Sequence, residues 1–107
     1  MTIEEHLLTC LIEECGEIIQ AAAKCLRFGK DDGYPGTSRS NINDLRNEIL
    51  DVMAVIDLLK NELRGFDIRP YTSIEYSNKY HIETKQYQII KYLLYAKEKG
   101  TVTDGRK

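Results

Sequence analysis

Five carboxylates supply the chemistry available to this sequence. Glu13, Glu14 and Glu17 stand in the run EECGE, and Glu48 and Asp51 in the run EILD. Each run holds two acids three residues apart, and residues at i and i+3 share one face of a helix about one turn apart. Two such helices laid side by side would bring Glu14, Glu17, Glu48 and Asp51 to one point. Carboxylates gathered in this way repel one another and lose hydration among apolar neighbours, so the cluster calls for a cation. Hard divalent cations take oxygen ligands. A set of oxygens with no nearby histidine favours Mg²⁺ or Mn²⁺ over Zn²⁺ or a histidine-containing di-iron centre.

The elements that must position these acids are helices. Apolar residues recur at helical spacing from Ile3 to Phe28, opened by Thr2 with Glu5 three residues on, as in a capping box, and stopped by Gly29. Residues 29–41 (GKDDGYPGTSRSN) read as a loop. A second helix is predicted from Ile42 or Asn43 to Arg64, ended by Gly65. Residues 66–72 connect through Pro70 to a third helical region over 72–99, weaker in its first half and closed by Gly100. No segment alternates as a strand and no internal repeat is present, so the expected class is all-α.

A helical wheel at roughly 100° per residue separates the five acids. Glu14 projects between Ile18, Ala21 and Cys25 on one side and Cys10 on the other. Glu17 lies at the margin, and Glu13 sits further toward solvent. Glu48 and Asp51 share an arc with Val55, Leu58 and Leu59, away from the polar face of Arg46, Asp57, Lys60 and Arg64. The competing reading is an ordinary solvated acidic face. Two observations weigh against it. Positions 18, 21, 52 and 55, where a helical salt bridge would want Lys or Arg, are all apolar. An unpaired charge in an apolar arc also costs on the order of several kcal/mol.

At these residues the chain resembles the MazG family of all-α nucleoside triphosphate pyrophosphohydrolases. That family's signature is E-E-x-x-E followed by E-x-x-D on the next helix, which Glu13-Glu14-Cys15-Gly16-Glu17 and Glu48-Ile49-Leu50-Asp51 reproduce. The flanking EECGEIIQAAAKCLRFG is similar to short stand-alone members, many from phages. The resemblance covers roughly residues 3–65 and departs in the spacing between the motifs, residues 18–47, lengthened by the Gly-rich loop. It implies Mg²⁺-dependent cleavage of a nucleoside triphosphate to monophosphate and pyrophosphate. Glu14, Glu17, Glu48 and Asp51 would then be the metal ligands, and Glu13 would aid the attacking water. The related phosphoribosyl-ATP pyrophosphohydrolase and a non-catalytic helical interaction module are the alternatives.

A metal-bound triphosphate also needs cationic partners. Lys24 and Arg27 follow Glu17 by about two and three turns on the first helix and are the candidates, against a basic helix end that merely complements the dipole. Lys30 and Arg39, in the loop, are expected to be solvated. The loop lacks the G-x-x-x-x-G-K-[ST] pattern of a Walker-type phosphate cradle. On the third helix Tyr76, Tyr80 and Tyr87 share one side; packing is the expected role, with base stacking as the alternative. Asn78 and Lys79 are candidate substrate contacts in the same segment.

The whole chain sets the remaining bounds. Its 107 residues carry a formal net charge of -2, which offers nucleic acid no bulk attraction. Glu4 and Glu5 occupy the place of a basic leader region, and no run approaches the roughly 20 apolar residues of a membrane span. A cytoplasmic protein without membrane or nucleic-acid partners is expected. Cys10, Cys15 and Cys25 are odd in number and lack C-x-x-C spacing, which argues for reduced thiols, with Cys15 packing in line with Leu8, Leu11 and Ala22. His6 and Cys10, four apart, do not complete a zinc site. The expected organisation is one helical domain over 1–100 and a tail over 101–107. Three helices with such broad apolar faces cannot close a core alone, so a homodimer or homotetramer of bundled helices is expected.

Overall fold

A computed structural model describes residues 1–66 and 76–103. It contains three helices, α1 (Ile3–Phe28), α2 (Asn41–Glu62) and α3 (Tyr76–Glu98), and no strand among the described residues. The all-α class follows directly. The chain divides into two compact units, Met1–Asp67 with α1 and α2, and Ile68–Lys107 with α3. None of the helices is long and apolar enough to cross a membrane.

Local chemistry fixes the ends of α1. The Thr2 hydroxyl accepts the Glu5 N–H at 3.0 Å, satisfying one of the first-turn amides that a helix leaves unpaired. Glu4 and Glu5 place negative charge at the positive end of the helix dipole. At the other end Gly29 adopts φ 96°, backbone that an L side chain rarely takes, while its N–H reaches the Cys25 carbonyl at 3.0 Å.

Helix α2 begins at Asn41, slightly ahead of the predicted Ile42 or Asn43, because Ser40 is the cap and its hydroxyl accepts the Asn43 N–H at 3.3 Å. It ends at Glu62 rather than Arg64. Leu63 has already turned to extended backbone, although its N–H still donates to the Leu59 carbonyl at 2.8 Å. The side chain of Asn41, one of the few buried groups, donates to the Gly29 carbonyl at 2.9 Å. That bond joins the end of α1 to the start of α2. The two helices pack on each other and therefore form an antiparallel hairpin. Its apolar centre is thin: Ala21 and Leu59 are the buried apolar residues, Leu59 with no exposed surface at all. Glu14 and Glu48 are half-buried along the same seam.

Helix α3 closes with a Schellman turn, in which the Thr101 N–H donates to the Ala96 carbonyl and the Gly100 N–H to the Lys97 carbonyl, both at 3.0 Å. The predicted stretch 72–75, Pro70 and the Tyr76 side chain lie outside the described residues. Tyr80 and Tyr87, expected to pack, are exposed. Cys10, Cys15 and Cys25 are free thiols. Cys15 is exposed rather than packed, while Leu11 and Ala22 of the same line are half-buried.

Candidate metal centre

Antiparallel packing brings the two acidic runs level with each other. Glu14 from α1 and Glu48 and Asp51 from α2 each direct one carboxylate oxygen to a common point, with these atoms all within 4.8 Å of one another. Oxygens on one octahedral Mg²⁺ lie about 3 to 4 Å apart, from bond lengths of about 2.1 Å. The three carboxylates are thus close to a ligand arrangement, and small side-chain rotations would complete it. Glu14 and Glu48 are half-buried, as their apolar arcs imply. Asp51 is exposed, a correction to the wheel, because the groove between the helices is open on its side.

The electrostatics of the cluster are unbalanced. Among the described residues, none of the three acids forms an ion pair with Lys, Arg or His; Asp44, one turn before Glu48, does. The Glu48 carboxyl is consequently pushed above its ordinary value. Loss of hydration contributes most, followed by the charges of Asp51, Glu17 and Glu14, and then by a hydrogen bond to Asp51 that the protonated form can make. An all-oxygen, all-carboxylate set without a cationic partner among the described residues fits a hard divalent metal.

Glu17 is exposed and stands outside the convergent three, but its charge reaches Glu48. Glu13 is exposed, as the wheel places it. From the acidic cluster a polar recess of about 190 Å³ extends toward the loop. Successive turns build its walls: Glu17, Gln20 and Lys24 along α1, and Glu48 and Asp44 along α2, with Ala21 too small to fill the space between. Asn41 and Arg39 are at the loop end. Glu17 and Glu48 therefore occupy one end of the recess, and Lys24 and the Arg39–Asp44 pair the other.

No family model, curated protein or solved structure matches this chain. The residues themselves carry the functional reading.

Of the cations singled out in the sequence, Lys24 lines the recess and makes no ion pair among the described residues. Arg27 instead lies over its neighbour Phe28, with the guanidinium 5.2 Å from the ring centroid. Asn78 and Lys79 belong to the second unit, where Lys79 pairs with Glu83 at 3.9 Å. Arg39, expected to be solvated, is largely exposed, and it also lines the recess and pairs with Asp44 at 3.3 Å. The available signal was its spacing: Arg39 and Asp44 flank the Ser40 cap, and a long side chain just before a helix can fold onto the first turn.

Proposed function

We propose that this chain is a Mg²⁺-dependent nucleotide pyrophosphohydrolase of the cytoplasm, cleaving nucleoside triphosphates to monophosphate and pyrophosphate as a homo-oligomer. The observation that carries the reading is the convergence of Glu14, Glu48 and Asp51 with no cationic partner among the described residues, Glu48 also lining a polar recess that Lys24 and Arg39 share. Glu14, Glu48 and Asp51 hold the metal, with Glu17 as the fourth carboxylate. Manganese would suit the same ligands. When bound, the ion supplies charge neutralisation and polarisation at the phosphoryl group.

The chain's own residues do the rest. Lys24 binds the polyphosphate and fixes its direction along the recess. Glu13 orients a water and takes its proton as the oxygen forms a bond to the α-phosphorus. The bond from that phosphorus to the bridging oxygen breaks, and pyrophosphate leaves. This assignment of Glu13 rests on the resemblance to the MazG signature.

Oligomerisation is supported by α1. Ile12, Ile19 and Leu26 repeat every seventh residue and are 73%, 70% and 90% exposed, and Leu8, Cys15 and Ala22 fill the intervening coiled-coil positions. A continuous apolar seam of this kind is suited to a second copy of the same helix.

A panel of ribo- and deoxyribonucleoside triphosphates with phosphoribosyl-ATP, assayed for pyrophosphate release with Mg²⁺ and with EDTA, tests the activity. Metal-dependent release on one class of triphosphate is expected. Absence of turnover on every substrate, with the oligomer intact, would replace the enzyme with a helical interaction module.

A further inference from the structure

The loop of residues 29–41 is tightly built. The Asn41 N–H donates to the Asp32 carbonyl at 2.6 Å, and the Ile42 N–H to the Lys30 carbonyl at 2.9 Å. Gly33 lies directly against the Arg39 carbonyl, with no room for a Cβ. The Arg39 N–H donates to the Thr37 hydroxyl at 3.3 Å. These contacts hold the backbone of Arg39 at the end of the recess.

The same contacts consume the helix end beneath it. The first-turn amides of α2, from Asn41, Ile42, Asn43 and Asp44, all donate to protein oxygens. A helix N-terminus with no free donors cannot cradle an anion through its backbone. Side chains must therefore do so, and the cationic ones in the recess are Lys24 and Arg39. Arg39 is held loosely. Its Nε and Nη2 both donate to one Asp44 oxygen at 3.4 Å, and Nη2 reaches the other at 3.3 Å. Charge-assisted bonds are normally about 2.7–2.9 Å. The guanidinium side chain is also 66% exposed.

The geometry points to Arg39 as a phosphate-binding residue that Asp44 parks beside the recess until a polyphosphate arrives. Arg offers a planar fork that matches two phosphate oxygens, and a polyphosphate carries more charge than the single carboxylate it displaces. The loop thereby supplies a contact to the terminal phosphates, at the end of the recess opposite the metal ligands. This rests on the metal-dependent nucleotide reading, but its test separates the two.

Calorimetric titration with inorganic tripolyphosphate in saturating Mg²⁺ reads the contact without turnover. Wild type should bind; Arg39→Gln should bind about tenfold more weakly or worse, Arg39→Lys should recover part of the loss, and Asp44→Asn should bind more tightly. Mn²⁺ affinity alone should be the same in Arg39→Gln and wild type, which a merely structural defect would not preserve. Equal tripolyphosphate affinity in Arg39→Gln and wild type, or no binding by wild type, would overturn the assignment. Arg39-dependent binding without hydrolysis of any nucleotide would leave the phosphate site standing and remove the hydrolase. Hydrolysis with an unchanged KM in Arg39→Gln would do the reverse.

Discussion

Glu48 occupies the most constrained position among the acids, half-buried between Asp51 on its own helix and Glu14 and Glu17 on the facing one. In the metal-free protein the folded state holds the Glu48 proton more tightly than the unfolded chain does. That stabilisation is complete below the unfolded value, near 4.5, and is lost as pH rises through the raised folded one. Thermal melts in EDTA should therefore show stability falling with pH across that interval. Glu48→Gln, neutral throughout, should flatten the dependence and melt higher than wild type without metal. Mg²⁺ requires the ionised form, so its affinity should weaken as pH falls through the same interval. Glu13 sits outside this group, and Glu13→Gln should lower kcat by about 100-fold with Mn²⁺ affinity unchanged, as steady-state kinetics and a metal titration would show. The inequality of the acids was legible from the wheels, which separate Glu13 from Glu14. The exposure of Asp51 was not, because it depends on how the two helices are rotated against each other.

At the scale of the elements, one small apolar contact region holds α1 against α2. Leu59→Ala should cost about 2–5 kcal/mol in urea unfolding, since Leu59 is fully buried and little else can collapse into its place. Gly33→Ala should lower the melting temperature and displace Arg39, because the new methyl group meets the Arg39 carbonyl. Helix α1 could be read nearly to the residue, as Thr2 and Gly29 act on their immediate neighbours. The start of α2 differs slightly because Ser40 is the cap, and Asn41 is further held by a bond to Gly29, twelve residues away. Its end was overrun because Leu63 keeps the apolar period after the backbone has left the helix. Arg39 was hidden for a related reason: the recess exists only once the loop has folded back and Gly33 has met its carbonyl.

For the whole molecule, the proposed association of copies rests on the exposed seam of Ile12, Ile19 and Leu26 along α1. Sedimentation analysis should find a dimer or tetramer, and Ile19→Asp should dissociate it while far-ultraviolet circular dichroism stays helical. A monomeric wild type would remove the oligomer from the account without touching the acids. Glu14, Glu48 and Asp51 are proposed to hold a catalytic divalent metal. The most direct measurement of that role is pyrophosphate release from the preferred triphosphate by wild type and Glu48→Gln, each assayed in Mg²⁺ and in EDTA. Wild type should release pyrophosphate only with the metal, with release restored when Mg²⁺ is added back, and folded Glu48→Gln should be slower by about 100-fold or more. Wild-type release that is indifferent to EDTA, or full Mg²⁺-dependent release by Glu48→Gln, would contradict that role.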